Sequence, residues 1–138
     1  MSNVGGASGA LYSTALMKGG AVLKKHSEVT PEVMVETWDE MIKGIQMRGK
    51  AVKGEKTMLD TQIPAFEEFK KSVEEGKTLK ESFELASEKA KLGMESTKDI
   101  IATKGRASYL GERSIGHIDP GSMSSYIIIK TISDELNK

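Results

Sequence analysis

The chain has 138 residues, with 20 basic side chains balanced by 20 acidic ones, no cysteine and a mean hydropathy of −0.35. Balanced charge excludes the long-range field that would favour nucleic acid or an anionic membrane. The missing cysteine excludes disulfides and thiolate metal sites and suits a reducing cytoplasm.

The length suits one domain over residues 1–138. Aromatics make up 5% of the residues and there are eight methionines, which fits a helical core of Leu, Ile, Val and Met. No apolar run approaches the roughly 20 residues that span a bilayer. The first residues are polar and glycine-rich, unlike a signal peptide. A cytoplasmic location is expected.

Helical periodicity dominates the chain. Ser8 is expected to cap a first helix from about Gly9 to His26, with Leu11, Ala15, Leu16, Val22 and Leu23 at helical spacing. Thr30 and Pro31 are an N-cap and a first-turn proline. They open a second helix that carries Val33, Trp38, Met41, Ile42 and Ile45 and ends near Gly49. A polar loop, Lys50 to Lys56, follows. A third helix is expected from about Met58 to Glu75, with Pro64 inside it as a source of a kink and Gly76 after it as a C-cap. Thr78 caps a fourth helix to about Ile101. A glycine- and arginine-rich loop comes next, then a last helix from near Pro120 to Leu136. Tyr126-Ile127-Ile128-Ile129 is rich in β-formers, but its polar continuation favours a helix with one strongly buried turn. The expected fold is all-α, with antiparallel neighbours joined by short loops.

Three segments carry candidate chemistry. Gly5-Gly6-Ala7-Ser8-Gly9 reads either as a phosphate-holding turn at a helix N-terminus or as a loose terminus with a serine cap. In Lys53-Gly54-Glu55-Lys56-Thr57-Met58, a lysine and a threonine beside glycine suit phosphate or ribose, and Met58 suits a base. The alternative is a solvated turn with Thr57 as N-cap and Met58 in the core. In the third segment Arg106 suits phosphate oxygens and His117 suits proton transfer or nucleophilic attack. The alternative there is an ion-pair network of Arg106, Glu112 and Arg113 that stiffens the loop, with His117 as a structural donor. No spacing of His26, His117 and the acids forms a metal motif, and no nucleophile elbow is present.

Together, Gly-Gly-Ala-Ser-Gly-Ala-Leu-Tyr at 5–12, Gly-Glu-Lys-Thr-Met-Leu-Asp at 54–60 and Gly-Arg-Ala-Ser-Tyr-Leu-Gly-Glu-Arg-Ser-Ile-Gly-His-Ile-Asp-Pro-Gly at 105–121 resemble the nucleotide-binding L subunit of dihydroxyacetone kinases. The resemblance covers essentially the whole chain, and its third block is long and specific. It implies a barrel of eight amphipathic antiparallel helices that binds ADP or ATP with two magnesium ions at one end. It also implies a partner K subunit carrying dihydroxyacetone on a histidine and, in the phosphotransferase version, a phosphocarrier M subunit. Carried over residue by residue, Ala7 and Ser8 contact the phosphates, Gly49 and Met58 line the adenine and ribose pocket, Arg106 approaches the phosphates, and Asp119, Pro120 and Gly121 close the pocket.

Two departures from the family pattern stand out. The second block has Glu55 where the family usually has Asp. The family's Gly-Asp-Gly-Asp-His-Gly motif, whose aspartates bind magnesium, has no counterpart, and the sequence contains no Asp-x-Asp pattern. The expected fold is therefore an incomplete barrel of about five to six helices without magnesium ligands. Its bare apolar faces, worth on the order of 10 kcal/mol of burial, would be covered by a homodimer, by rearranged helices or by a companion chain. The expected function is the nucleotide-binding role in phosphoryl transfer to dihydroxyacetone, inactive as this chain alone. The alternative is a module that kept the fold for nucleotide or protein binding and lost catalysis.

Overall fold

The structure, a computed structural model, describes residues 6–102 and 111–138, with side chains from residue 9 onward. Among the described residues there are five α-helices and no strand: α1 Gly6–Leu23, α2 Pro31–Gly49, α3 Leu59–Glu74, α4 Leu79–Ser96 and α5 Pro120–Leu136. A 3-10 turn, Thr97–Asp99, follows α4. The helices fall into two compact units, Met1–Ala51 and Val52–Lys138.

The first unit is an antiparallel pair. A Cβ on Gly19 would lie 3.0 Å from the Met41 side chain, one on Gly44 would meet Thr14 and Lys18, and one on Gly49 would lie 3.2 Å from Leu11. Positions thus rise along α1 as they fall along α2. Glycine at these three points lets the two helices approach closely. Helix α2 begins as its sequence predicts: Pro31 sits in the first turn, and the Thr30 hydroxyl accepts the Val33 N–H at 3.2 Å. It ends on Lys50, which takes the left-handed conformation with φ of 50°. Helix α1 departs from expectation at both ends. It already includes Gly6, so Ser8 lies inside the helix and not at its N-cap position. It stops at Leu23 because Lys25 and His26 bond to Val22 and Leu23 in the tighter three-residue pattern.

The second unit holds α3, α4 and α5. Helices α3 and α4 form an antiparallel hairpin, with Gly93 against Asp60 near one end and the Phe69 and Phe83 rings 4.7 Å apart toward the other. The reversal between them is a Schellman turn. Gly76, at φ of 83°, donates to the Val73 carbonyl, and Lys77 donates to Ser72. Thr78 then caps α4 by accepting the Glu81 N–H. Helix α3 runs through Pro64. Proline has no N–H, so it leaves the Asp60 carbonyl without its helical partner. That carbonyl is the one brought up against Gly93.

Helix α4 was expected to reach Ile101 but ends at Ser96. Its last hydroxyls bond backwards, Ser96 to the Gly93 carbonyl and Thr97 to Met94, each at 2.6 Å. Such local bonds compete with helix continuation. Ser72 and Ser82, both fully buried, have hydroxyls with no hydrogen-bond partner among the described residues. Ser72→Ala or Ser82→Ala is therefore expected to raise stability by about 1 kcal/mol, read as a higher urea midpoint.

Helix α5 reverses the expected pattern. Its buried residues are Ser122, Ser125, Ile129 and Ser133. Met123, Ile127, Ile128 and Ile132 are exposed, Ile127 by 54%. The expected strongly buried turn at 126–129 is thus wrong except for Ile129. Hydroxyl-bearing positions face the neighbouring helices because Ser122 and Ser125 bond there: Thr61 donates to the Ser122 carbonyl and Gln62 to the Ser125 hydroxyl. These two bonds also show that α3 and α5 start side by side and run the same way.

Candidate functional site

One end of the second unit gathers the N-termini of α3 and α5 and the C-terminus of α4. The turn before α3 is built on Asp60, which is buried. One carboxylate oxygen accepts the Gly54 N–H at 2.6 Å and the other accepts the Thr57 N–H at 3.0 Å. Glu55, the residue that departs from the family pattern, accepts the Val52 N–H and closes the same turn. The alternative reading of this segment makes Thr57 the N-cap. Met58 occupies that position without a side-chain cap, and the Thr57 hydroxyl accepts the Leu59 N–H instead. Asp60 holds the N–H groups upstream of the helix, at Gly54 and Thr57, while the Thr57 hydroxyl holds one in its first turn.

Helix α5 begins at Pro120, and its N-cap is Asp119, whose carboxylate accepts the Ser122 N–H at 2.8 Å. The Asp119 N–H goes to the Thr97 hydroxyl at the end of α4. Ser122 in turn donates to the Thr57 carbonyl at 2.6 Å. The turn 54–58 and the start of α5 are thus laced together, and a Cβ on Gly121 would lie 3.5 Å from Met58.

Lys56 is the residue that sequence reasoning misplaced. It is 3% exposed, so the solvated turn is incorrect there. Its ammonium donates to the Thr97 carbonyl at 2.5 Å, to Ser114 at 2.8 Å and to His117. An ammonium has three donors, and all three are taken by the chain itself. Lys56 therefore has none left for a phosphate. Its φ of 59° lies in the left-handed region, a conformation that a non-glycine residue keeps only where its surroundings fix it. No sequence signal distinguishes this lysine from the exposed Lys53; the three acceptors lie 41, 58 and 61 residues away.

Burial raises the Asp119 carboxyl above its ordinary value of 3.8, against the opposing pull of the Ser122 N–H and Lys56. A carboxyl raised in this way holds its proton more readily folded than unfolded. Its contribution therefore favours folding at low pH and declines as pH climbs from 3.8 through the raised value. Asp119→Asn keeps a good N-cap. It is expected to flatten the stability–pH curve on the alkaline side of pH 3.8 and to be at least as stable as the parent at pH 7, measured by urea unfolding across that range.

Of the sequence-derived site residues, Met58, Asp119, Pro120 and Gly121 lie together at this end of the second unit. Ala7, Ser8 and Gly49 belong to the first unit, and Arg106 lies outside the described residues. The carboxylates at this end do not suit a pair of magnesium ions, because Asp60 and Asp119 cap backbone N–H groups beside a buried ammonium. Among the described residues no group of three His, Cys, Asp or Glu side chains is arranged to hold a metal, and no helix is long and apolar enough to cross a membrane.

Comparison with known proteins finds relatives along both units. The DAK2 domain matches residues 1–134, across both units. The "PEP-dependent dihydroxyacetone kinase, ADP-binding subunit DhaL" of Escherichia coli is 38% identical over 96% of the chain and 63% of its own length. The "PTS-dependent dihydroxyacetone kinase, ADP-binding subunit DhaL" of Lactococcus lactis is 39% identical over 96% of the chain and 60% of its own length. The chain thus spans about three fifths of these relatives. The crystal structure of the dihydroxyacetone kinase of C. freundii superposes with a TM-score of 0.67 at 22% identity, over 95% of this chain and 21% of that one, a likeness of fold. With the match running through the 54–60 turn and the Asp119 cap alike, the chain belongs to the DAK2-domain family, that of the dihydroxyacetone kinase L subunits.

Proposed function

We propose that residues 1–138 act as one nucleotide-binding domain of a dihydroxyacetone kinase, holding ADP or ATP for phosphoryl transfer to dihydroxyacetone carried by a K-type partner subunit in the cytoplasm. The observation that carries this reading is the lacing of the 54–60 block to Asp119–Gly121, with Met58 against Gly121. It is supported by alignment of 96% of this chain with about three fifths of relatives named ADP-binding subunits. In this reading Ala7 and Ser8 contact the phosphates, Gly49 and Met58 line the adenine and ribose, Arg106 neutralises phosphate charge, and Asp119, Pro120 and Gly121 close the pocket. Phosphoryl transfer needs mainly positioning and charge stabilisation, so the contribution of these residues is to fix the nucleotide.

The capped state of Asp60 and Asp119 favours a second reading, in which this chain binds nucleotide or partner without turning over. The chain mixed with a K subunit is accordingly expected not to phosphorylate dihydroxyacetone. Calorimetry with ADP, run with and without magnesium, separates the kinase subunit from the interaction module. Micromolar binding that requires magnesium supports the kinase subunit and calls for a phosphocarrier M subunit or ATP as donor. No binding favours the interaction module. The exposed isoleucines of α5 support a homodimer that covers them, which sedimentation reads as twice the 15.0 kDa chain mass.

A further inference from the structure

Among the described residues, Lys56 is the only buried lysine or arginine. The helix end it touches, at Thr97, is one where carbonyls lack intrahelical partners and the macrodipole is negative. Among the described residues, the segment it touches, Ser114 to His117, has only backbone and hydroxyl ties besides, one of them from the Ile115 N–H to the Glu112 carbonyl. Gly116 donates to the Lys98 carbonyl at 2.6 Å, and the Ser114 hydroxyl accepts the Ala102 N–H and donates to Gly111. Among the described residues, the ammonium is what fastens this segment to the turn before α3. Two residues beyond His117 the chain reaches Asp119, whose N–H is held by Thr97, the same residue whose carbonyl Lys56 holds. Asp119 and Gly121 thus come to rest beside Met58 directly after the clamped segment, with the Ser122 hydroxyl on the Thr57 carbonyl as a second tie to the same turn.

We propose that Lys56 is a positioning residue: its ammonium, saturated by the Thr97, Ser114 and His117 carbonyls, sets segment 114–117 and so brings Asp119 and Gly121 to Met58 in a shape that receives a nucleotide. The nucleotide part rests on the function proposed above; the clamp itself does not. An ammonium suits this task because it is compact and offers three donors in a cone, whereas a guanidinium is planar and broad.

The test pairs hydrogen exchange with calorimetry on the full chain and on Lys56→Ala. In the variant, amides of residues 114–118 are expected to exchange at least about tenfold faster, while the middles of α3, α4 and α5 keep their protection. Propylammonium, which restores the missing atoms and the charge, is expected to return that protection; propan-1-ol, of similar size and neutral, is not. Equal rescue by the alcohol would reduce Lys56 to a space-filler and overturn the proposal, as would unchanged exchange at 114–118. ADP affinity is expected to fall at least about tenfold in the variant and to recover with propylammonium. Unchanged affinity in a loosened variant overturns the positioning role. Failure of the parent chain to bind ADP overturns the function proposed above, and the exchange arm still decides the clamp. Should the variant not fold, the parent labelled with 15N-lysine decides: a slowly exchanging Lys56 ammonium resonance is expected, and its absence overturns the clamp.

Discussion

Gly93→Ala is expected to destabilise the second unit by about 2–3 kcal/mol, although alanine is the better helix former. The added methyl would overlap the Asp60 carbonyl oxygen and sit 3.2 Å from the Thr61 Cα. Both obstacles are backbone, so no side-chain rotation relieves them and α3 and α4 must separate. Pro64 explains why this carbonyl is there. It withholds the N–H that would have drawn the carbonyl along the α3 axis, and the hydrogen-only side chain of Gly93 admits it. The comparison is Gly20→Ala within α1, where a Cβ meets nothing within 4 Å. That substitution is expected to stabilise by about 1 kcal/mol through propensity alone. Urea unfolding of both variants, with unchanged dependence on denaturant, checks the pair. A Gly93→Ala midpoint at or above the parent's would show that the helices part at no cost.

Asp60→Ala is expected to cost about 3 kcal/mol. Two charge-assisted hydrogen bonds disappear together, those from Gly54 and Thr57, and the turn before α3 loses its centre. Asp60→Asn retains one acceptor oxygen, so about half that loss is expected. The same measurement separates the two, and an alanine variant no worse than the asparagine one would show that the turn is held by its backbone alone. The effect should also spread to α5, because Ser122 depends on the Thr57 carbonyl for its hydroxyl bond.

Much of the architecture could be read from local signals. Thr30-Pro31 and Asp119-Pro120 mark helix starts because a side-chain acceptor followed by proline is favourable only there. Gly76 marks a reversal because the left-handed conformation it adopts disfavours a Cβ. Local signals failed where a non-local bond decided the outcome. Ile100 and Ile101 extend the apolar pattern of α4, yet Thr97 turns its hydroxyl to Met94 and to Asp119 and the helix stops. Gly5 to Gly9 suggested a turn, and the helix already includes Gly6. That Met58, Asp119 and Gly121 share one end of the second unit was legible because they lie in blocks with a recognisable resemblance. Lys56 lies in the same block, but its burial requires three carbonyls from distant parts of the chain, and pattern alone carries no trace of them.

The outward isoleucines and inward serines of α5 invert what substitution should do there. On most helices an apolar position is the fragile one and a serine the tolerant one. Here Ser122 and Ser125, fully buried, should reject any larger side chain, while Ile127 and Ile128 should accept glutamate or lysine with little loss of fold. A saturation scan that scores folding would therefore show the hydroxyl stripe as the intolerant band. A scan that scores assembly would show the isoleucine stripe instead, and the two maps laid together would separate what this helix needs to fold from what it offers to a neighbour.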